Sequence, residues 1–68
     1  MNKIIINTEY ISLSQFMKME SLVQSGGEAK QVIQQGLVSV NNEICTQRGR
    51  KLYKDDIIEF NGIEYIIN

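Results

Sequence analysis

Apolar residues recur at helical spacing in two short stretches of the chain, each behind a residue suited to cap a helix. In the first stretch Leu13 and Phe16 begin an apolar stripe that extends to about Val23, as in an amphipathic helix. Ser12 and Gln15 stand at capping-box spacing, in which each side chain bonds the other residue's backbone N–H. The pattern predicts a helix that starts just after Ser12.

The second stretch predicts another short helix directly behind the first. Ser25 and Glu28 repeat the capping signature, and apolar residues follow between positions 29 and 33. Gly36 stands where a glycine in a left-handed conformation would end the helix. A tight turn near Gln24 would join the two helices, whose small apolar faces must pack on something else.

The remaining pattern is that of short strands. β-branched residues or apolar alternation, bounded by Asn-Asn and Asn-Gly turn pairs, predict strands at Lys3–Thr8, Leu37–Val40, Glu43–Cys45, Ile57–Phe60 and Ile63–Ile67. The order strand, helix, helix, strands indicates an α+β fold with a helix pair on one face of a mostly antiparallel sheet. With no proline and no linker-like tract, residues 1–68 are expected to form a single domain.

Composition excludes several classes of function. The chain has 68 residues, one cysteine (Cys45) and no histidine, so a disulfide within the chain, a zinc site and imidazole catalysis are not expected. Neither a membrane-spanning run nor a secretory signal is recognisable, which predicts a cytoplasmic protein. We therefore expect no cofactor, no metal and no enzyme activity.

Charge is concentrated in one place. Four of the seven basic residues lie between Gln47 and Lys54, and no acidic residue occurs from Ile44 to Lys54, although the net charge is -1. A local basic block on an acidic chain favours an anionic partner, and nucleic acid is the leading candidate.

The order of these motifs resembles the S4 RNA-binding domain. The similarity rests on the stretch from Ser25 to Asn41, on Arg-Gly-Arg-Lys-Leu at 48–52 and on Asp-Ile-Ile at 56–58, and it spans about residues 10–60. The chain is most similar to the small stand-alone bacterial members of that family. Asn42 and Asp55 replace glycines that are usual in the family, and both residue types tolerate a left-handed backbone better than most.

The resemblance implies an RNA-binding surface made of the helix pair and the basic loop. The contact residues it implies are Lys18, Lys30, Arg48, Arg50 and Lys51. The expected partner is ribosomal or another structured RNA, with the ribosome or assembly proteins as further partners.

The pair Gly26-Gly27 has two interpretations. Its bare backbone would let an RNA phosphate approach the N-terminus of the second helix. A glycine cap that only makes the tight turn is the favoured interpretation, because the Glu28 carboxylate can already occupy that end.

Other side chains have plain structural interpretations. Tyr53 is expected in the packed surface, although stacking on an unpaired base is the alternative. Cys45 is expected to be an inert core residue. Asp55, Asp56 and Glu59 are expected to serve turns and charge balance rather than a metal.

Two other functions compete with RNA binding. An adaptor that binds protein through the helix pair fits the overall acidity. A ubiquitin-like sulfur carrier shares the short strands, but it needs a Gly-Gly tail where this sequence has Tyr65-Ile66-Ile67-Asn68.

Overall fold

The computed structural model describes all 68 residues. In chain order the elements are β1 (Asn2–Ile4), β2 (Tyr10–Ser12), α1 (Leu13–Met19), α2 (Gly26–Gln34), β3 (Val38–Val40), β4 (Glu43–Ile44), β5 (Lys51–Tyr53), β6 (Ile57–Phe60) and β7 (Ile63–Ile67). No helix has the length and apolar character that a bilayer crossing requires.

The strands form two sheets. The larger sheet has the order β1-β7-β6-β3-β4, in which only the β1–β7 pair is parallel, while β2 and β5 form a separate antiparallel ribbon. The α+β fold with a mostly antiparallel sheet is thus confirmed. The ribbon was not predicted, and the first strand is shorter than the predicted Lys3–Thr8.

Helix α1 begins where the sequence predicts it, but it ends earlier than predicted. Ser12 and Gln15 form the predicted capping box, with bonds of 3.1 and 3.0 Å. The helix ends at Met19 rather than near Val23, because Ser21 adopts a left-handed φ of 59°. The N–H groups of Ser21 and Leu22 then donate back into the last turn, which makes a Schellman ending without glycine.

The second helix carries the predicted cap and stop. The Ser25 hydroxyl accepts the Glu28 N–H at 3.1 Å. The Glu28 carboxylate accepts the N–H of Gln24 at 2.6 Å. In a full capping box it would accept the N–H of the N-cap residue, Ser25, instead. At the other end Gly36 has φ 77°, and the N–H groups that follow the helix close a Schellman motif.

The hairpin turns also follow the sequence. Asn41-Asn42 and Asn61-Gly62 each have two successive positive φ values, the conformation of a two-residue type I′ turn. Asp55 has φ 76°, so Asn42 and Asp55 both take the left-handed conformation expected of them. The adjacent Asp56 accepts the Tyr53 N–H and an Asn41 amide hydrogen, which confirms a turn-forming role for this carboxylate.

One apolar core joins the helices to the inner face of the larger sheet and to the ribbon. Its fully buried members include Leu13 and Phe16 from α1, Ile33 from α2 and Leu52 from β5. The Phe16 ring meets Tyr65 of β7 edge-on, with 5.3 Å between centroids, a favoured aromatic geometry. Because Leu52 belongs to this core, the strand that leaves the basic segment is fixed to the rest of the fold.

Candidate nucleic-acid interface

The basic segment folds as a defined turn, here called the basic loop (residues 46–50). The Arg50 N–H donates to the Gln47 carbonyl oxygen at 3.1 Å, which closes a turn across Arg48 and Gly49. The thiol of Cys45, which is buried as expected, lies 3.6 Å from the same carbonyl oxygen, a weak contact. The loop backbone is therefore held at its entrance and across its tip.

Two further hydrogen bonds fix the loop to the start of α1. The Leu13 N–H donates to the Arg50 carbonyl oxygen at 2.8 Å, and the Ser14 N–H donates to the Arg48 carbonyl oxygen at 3.1 Å. The first N–H groups of a helix have no partner within the helix, so the loop supplies what α1 lacks. The carbonyls of both arginines face the protein, and both arginine residues are exposed to solvent.

Apart from the contact of Lys51 with the Tyr10 ring, the cationic side chains of this region are not used to hold the fold together. Arg48, Arg50 and Lys51 are exposed, and none of the side-chain hydrogen bonds in the protein involves a lysine or arginine side chain. Their donors are consequently free to meet an external anion. The structure brings these three predicted residues together in one short segment.

The two predicted lysines of the helices lie apart from that segment. Lys18 is exposed in the last turn of α1, where a cation also suits the negative end of the helix. Lys30 is exposed on α2, which packs against α1. Both therefore belong to the helix pair, and α1 connects that pair to the basic loop.

Gly26 and Gly27 open α2 with two bare amides. Neither N–H has a partner within the protein, and an added Cβ at either position would meet nothing closer than 3.9 Å. The fold thus leaves room for an anion there. The Glu28 carboxylate, bound to Gln24 at the same helix end, puts a negative charge close by, which supports the interpretation of a glycine cap.

The outer face of the ribbon carries residues that sequence analysis did not assign to the interface. Tyr10 stands directly opposite Tyr53, and both rings are about two-fifths exposed, so Tyr53 packs on a partner without being buried. Lys51 lies between them and the basic loop. The alternation of Lys51, Leu52 and Tyr53 signals a strand, but three residues are too few to reveal its partner.

The outer face of the larger sheet carries two glutamates opposite each other. Glu59 of β6 pairs with Glu64 of β7, and both are exposed. Their neighbours in the strands, Ile58 and Tyr65, are buried against the helices, so the two glutamates lie on the outer face of the larger sheet. The surface has no cavity and no cluster of side chains arranged to hold a metal.

Comparison with known proteins agrees with this architecture. The profile described as the S4 domain matches residues 4–68, nearly the whole chain. The chain belongs to the S4 domain family. The family match extends beyond the stretch from about 10 to 60 on which the resemblance in the sequence rests, because it takes in β7 as well.

Two known proteins similar to this S4 domain are informative. A protein of Bacillus subtilis (strain 168) named "Probable ribosome maturation protein RlbA" is 48% identical over 61 residues, which cover 90% of this chain and 86% of that protein. The crystal structure of the 30S ribosomal protein S4e from Thermoplasma acidophilum superposes with a TM-score of 0.65 at 20% identity. That match covers 88% of this chain but only 32% of the S4e chain, so it supports the fold alone.

Proposed function

We propose that this S4 domain is a non-catalytic RNA-binding protein that acts in ribosome maturation in the cytoplasm. The observation that carries the proposal is the basic loop, whose backbone is bonded to α1 while its cations remain exposed and unused. Family membership and the name of the Bacillus subtilis relative supply the ribosomal context.

The loop is suited to phosphate because it is organised before binding. Ordering a flexible loop on binding costs free energy, and four backbone-anchoring contacts already restrict this one. Arginine meets phosphate oxygens with a planar pair of donors, whereas lysine acts as a point charge. Arg48 and Arg50 would thus position the backbone of the RNA, with Lys51 adding charge at the edge.

Charge distribution favours one orientation on the RNA. Lys18 and Lys30 lie on the helix pair together with Glu20 and Glu28, and the loop adds cations only, whereas the outer sheet face carries Glu59 and Glu64. Repulsion between the glutamates of the sheet and phosphate would turn the sheet away from the nucleic acid. A chain of net charge -1 can then still bind a polyanion through one side.

The number of cations in the interface determines the expected affinity for RNA and its salt dependence. Contacts from four or five cations would give a log–log salt slope of about -3 to -3.5, using roughly -0.7 per phosphate. Affinity should be about micromolar at physiological salt. Recognition of structured ribosomal RNA by shape and backbone suits such a contact set better than a base code.

The direct test is binding of the purified protein to ribosomal RNA and to a matched duplex DNA over a series of salt concentrations. The variant Arg48→Glu/Arg50→Glu/Lys51→Glu should lose salt-sensitive RNA binding while remaining folded. Single variants provide a charge-matched comparison, because Arg50→Glu and Lys3→Glu change net charge equally. Lys3 lies on β1, at the edge of the larger sheet opposite to β4, from which the basic loop leaves, and its variant should bind nearly as the parent does.

Two outcomes would contradict the proposal. Undiminished binding by the triple variant would remove the basic loop from the interface. Absence of RNA binding by the parent protein would favour the adaptor function, in which the helix pair contacts protein.

A further inference from the structure

The outer face of the β2–β5 ribbon presents two tyrosines to solvent. Strand register places Tyr10 directly across from Tyr53. The ring centroids are 5.6 Å apart with the planes inclined at 49°, and the residues are 41% and 42% exposed. On the inner face Leu52 is completely buried. The ribbon therefore packs against the core on one side and exposes two tyrosine rings on the other.

A cation links this aromatic pair to the basic loop. The Lys51 Nζ lies 4.8 Å from the centroid of the Tyr10 ring, within the range of a cation–π contact. Lys51 directly follows Arg50, the last residue of the loop. The aromatic face therefore begins where the proposed phosphate contacts end.

The geometry distinguishes the two rings. Lys51 lies over the Tyr10 ring, whereas no cation covers the Tyr53 ring, although the two tyrosines are about equally exposed. A cross-strand aromatic pair also stabilises a ribbon, but the burial of Leu52 and the bonds from Leu13 and Ser14 already fix this segment. A role in pairing β2 with β5 does not explain why both tyrosine rings are exposed close to the cations of the basic loop.

We infer that Tyr53, supported by Tyr10, stacks on one unpaired base of the RNA whose phosphates meet the basic loop. The inference rests on the proposed function and adds a ligand class to it, namely RNA with an unpaired nucleotide beside a helix. Stacking on an aromatic ring accepts any base, because every base has a π face. The platform would select an unpaired position rather than a sequence.

Three RNA probes test this inference. One is a duplex with a single-nucleotide bulge that contains 2-aminopurine, the second has an abasic residue in the bulge, and the third is fully paired. The parent protein should bind the bulged RNA about fivefold or more tighter than the other two, the range expected for one stacked base. Fluorescence of 2-aminopurine should change on binding.

Variants of Tyr53 assign the effect to the ring. Tyr53→Leu should lose the preference for the bulged RNA and bind the paired duplex as before, whereas Tyr53→Phe should keep the preference. Amide chemical shifts of each variant report whether the fold is intact. The comparison of base with abasic bulge uses the parent protein, so it shows whether a base is contacted even where Tyr53→Leu does not fold, and Tyr53→Phe then tests the ring.

The outcomes separate this inference from the function on which it rests. Equal binding of all three RNAs by the parent protein, with binding still lost on charge reversal in the loop, would overturn the stacking platform and leave RNA binding intact. Absence of binding to the three probes and to ribosomal RNA would overturn both. A bulge preference that survives in Tyr53→Leu would place the base contact elsewhere.

Discussion

The backbone N–H of Leu13 donates a hydrogen bond to the carbonyl oxygen of Arg50 across a gap of 2.8 Å. Leu13 is the first residue of α1 and is fully buried, whereas Arg50 ends the exposed basic loop. This bond connects the apolar core to the surface proposed to bind RNA. A change in the packing of α1 would therefore alter the position of the loop.

Hydrogen exchange should reveal this connection. The N–H groups of Leu13 and Ser14 have carbonyl partners, but the equivalent amides of α2, on Gly26 and Gly27, have none. We expect the first pair to exchange at least roughly tenfold more slowly after correction for sequence, an opening free energy larger by about 1.4 kcal/mol. Amide exchange followed by NMR measures all four positions in one sample. Equally fast exchange would mean that the loop does not stay on α1.

The salt dependence of RNA binding should report each cation separately. Arg50→Gln should weaken binding to ribosomal RNA and make the log–log salt slope less negative by roughly 0.7, the value for one phosphate contact. Lys3→Gln removes the same charge from β1, on the larger sheet, and should leave the slope unchanged. A similar loss of slope in both variants would indicate that net charge alone determines binding.

Local rules explain which parts of the fold could be predicted from the sequence. The capping box at Ser12, the stop at Gly36 and the turn at Asn61-Gly62 depend on a few neighbouring residues, and all three are present. The early end of α1 was missed because Ser21 takes a left-handed conformation that sequence assigns to glycine or asparagine.

Only those residues of the candidate site that are neighbours in sequence could be predicted. Arg48, Arg50 and Lys51 are neighbours in sequence, so their grouping needs no tertiary information. Tyr10 joins them only through its pairing with Tyr53, 43 positions away by residue number (53 − 10). Such long-range pairing depends on packing across the whole core. The sequence of a short strand does not show which other strand it will pair with.

The two Schellman endings allow a matched exchange of residues. Ser21 and Gly36 occupy the same position after their helices, with φ values of 59° and 77°. Ser21→Gly should raise the free energy of unfolding by about 0.5–1 kcal/mol, because glycine adopts this conformation without strain. Gly36→Ser should lower it by about 1 kcal/mol.

Urea denaturation followed by circular dichroism measures both changes. A new side chain at Gly36 would meet its nearest neighbour, the Ile44 Cγ2 atom, at an ordinary distance of 3.5 Å, so the backbone conformation is what the comparison tests. Destabilisation by Ser21→Gly would show that the serine side chain stabilises the fold by more than the left-handed backbone conformation of Ser21 destabilises it.

Gly27→Ala separates the two interpretations of the glycine pair at the start of α2. Gly27 lies in the first turn with open space around it, so alanine should raise the free energy of unfolding by about 0.5–1 kcal/mol through its better helix propensity. We expect RNA affinity to stay the same, because the Glu28 carboxylate already occupies this helix end. Gly27→Ala binding should be measured on ribosomal RNA beside the parent protein. A more stable variant that binds more weakly would show that a phosphate approaches the bare amides, since alanine would obstruct that approach without damaging the fold.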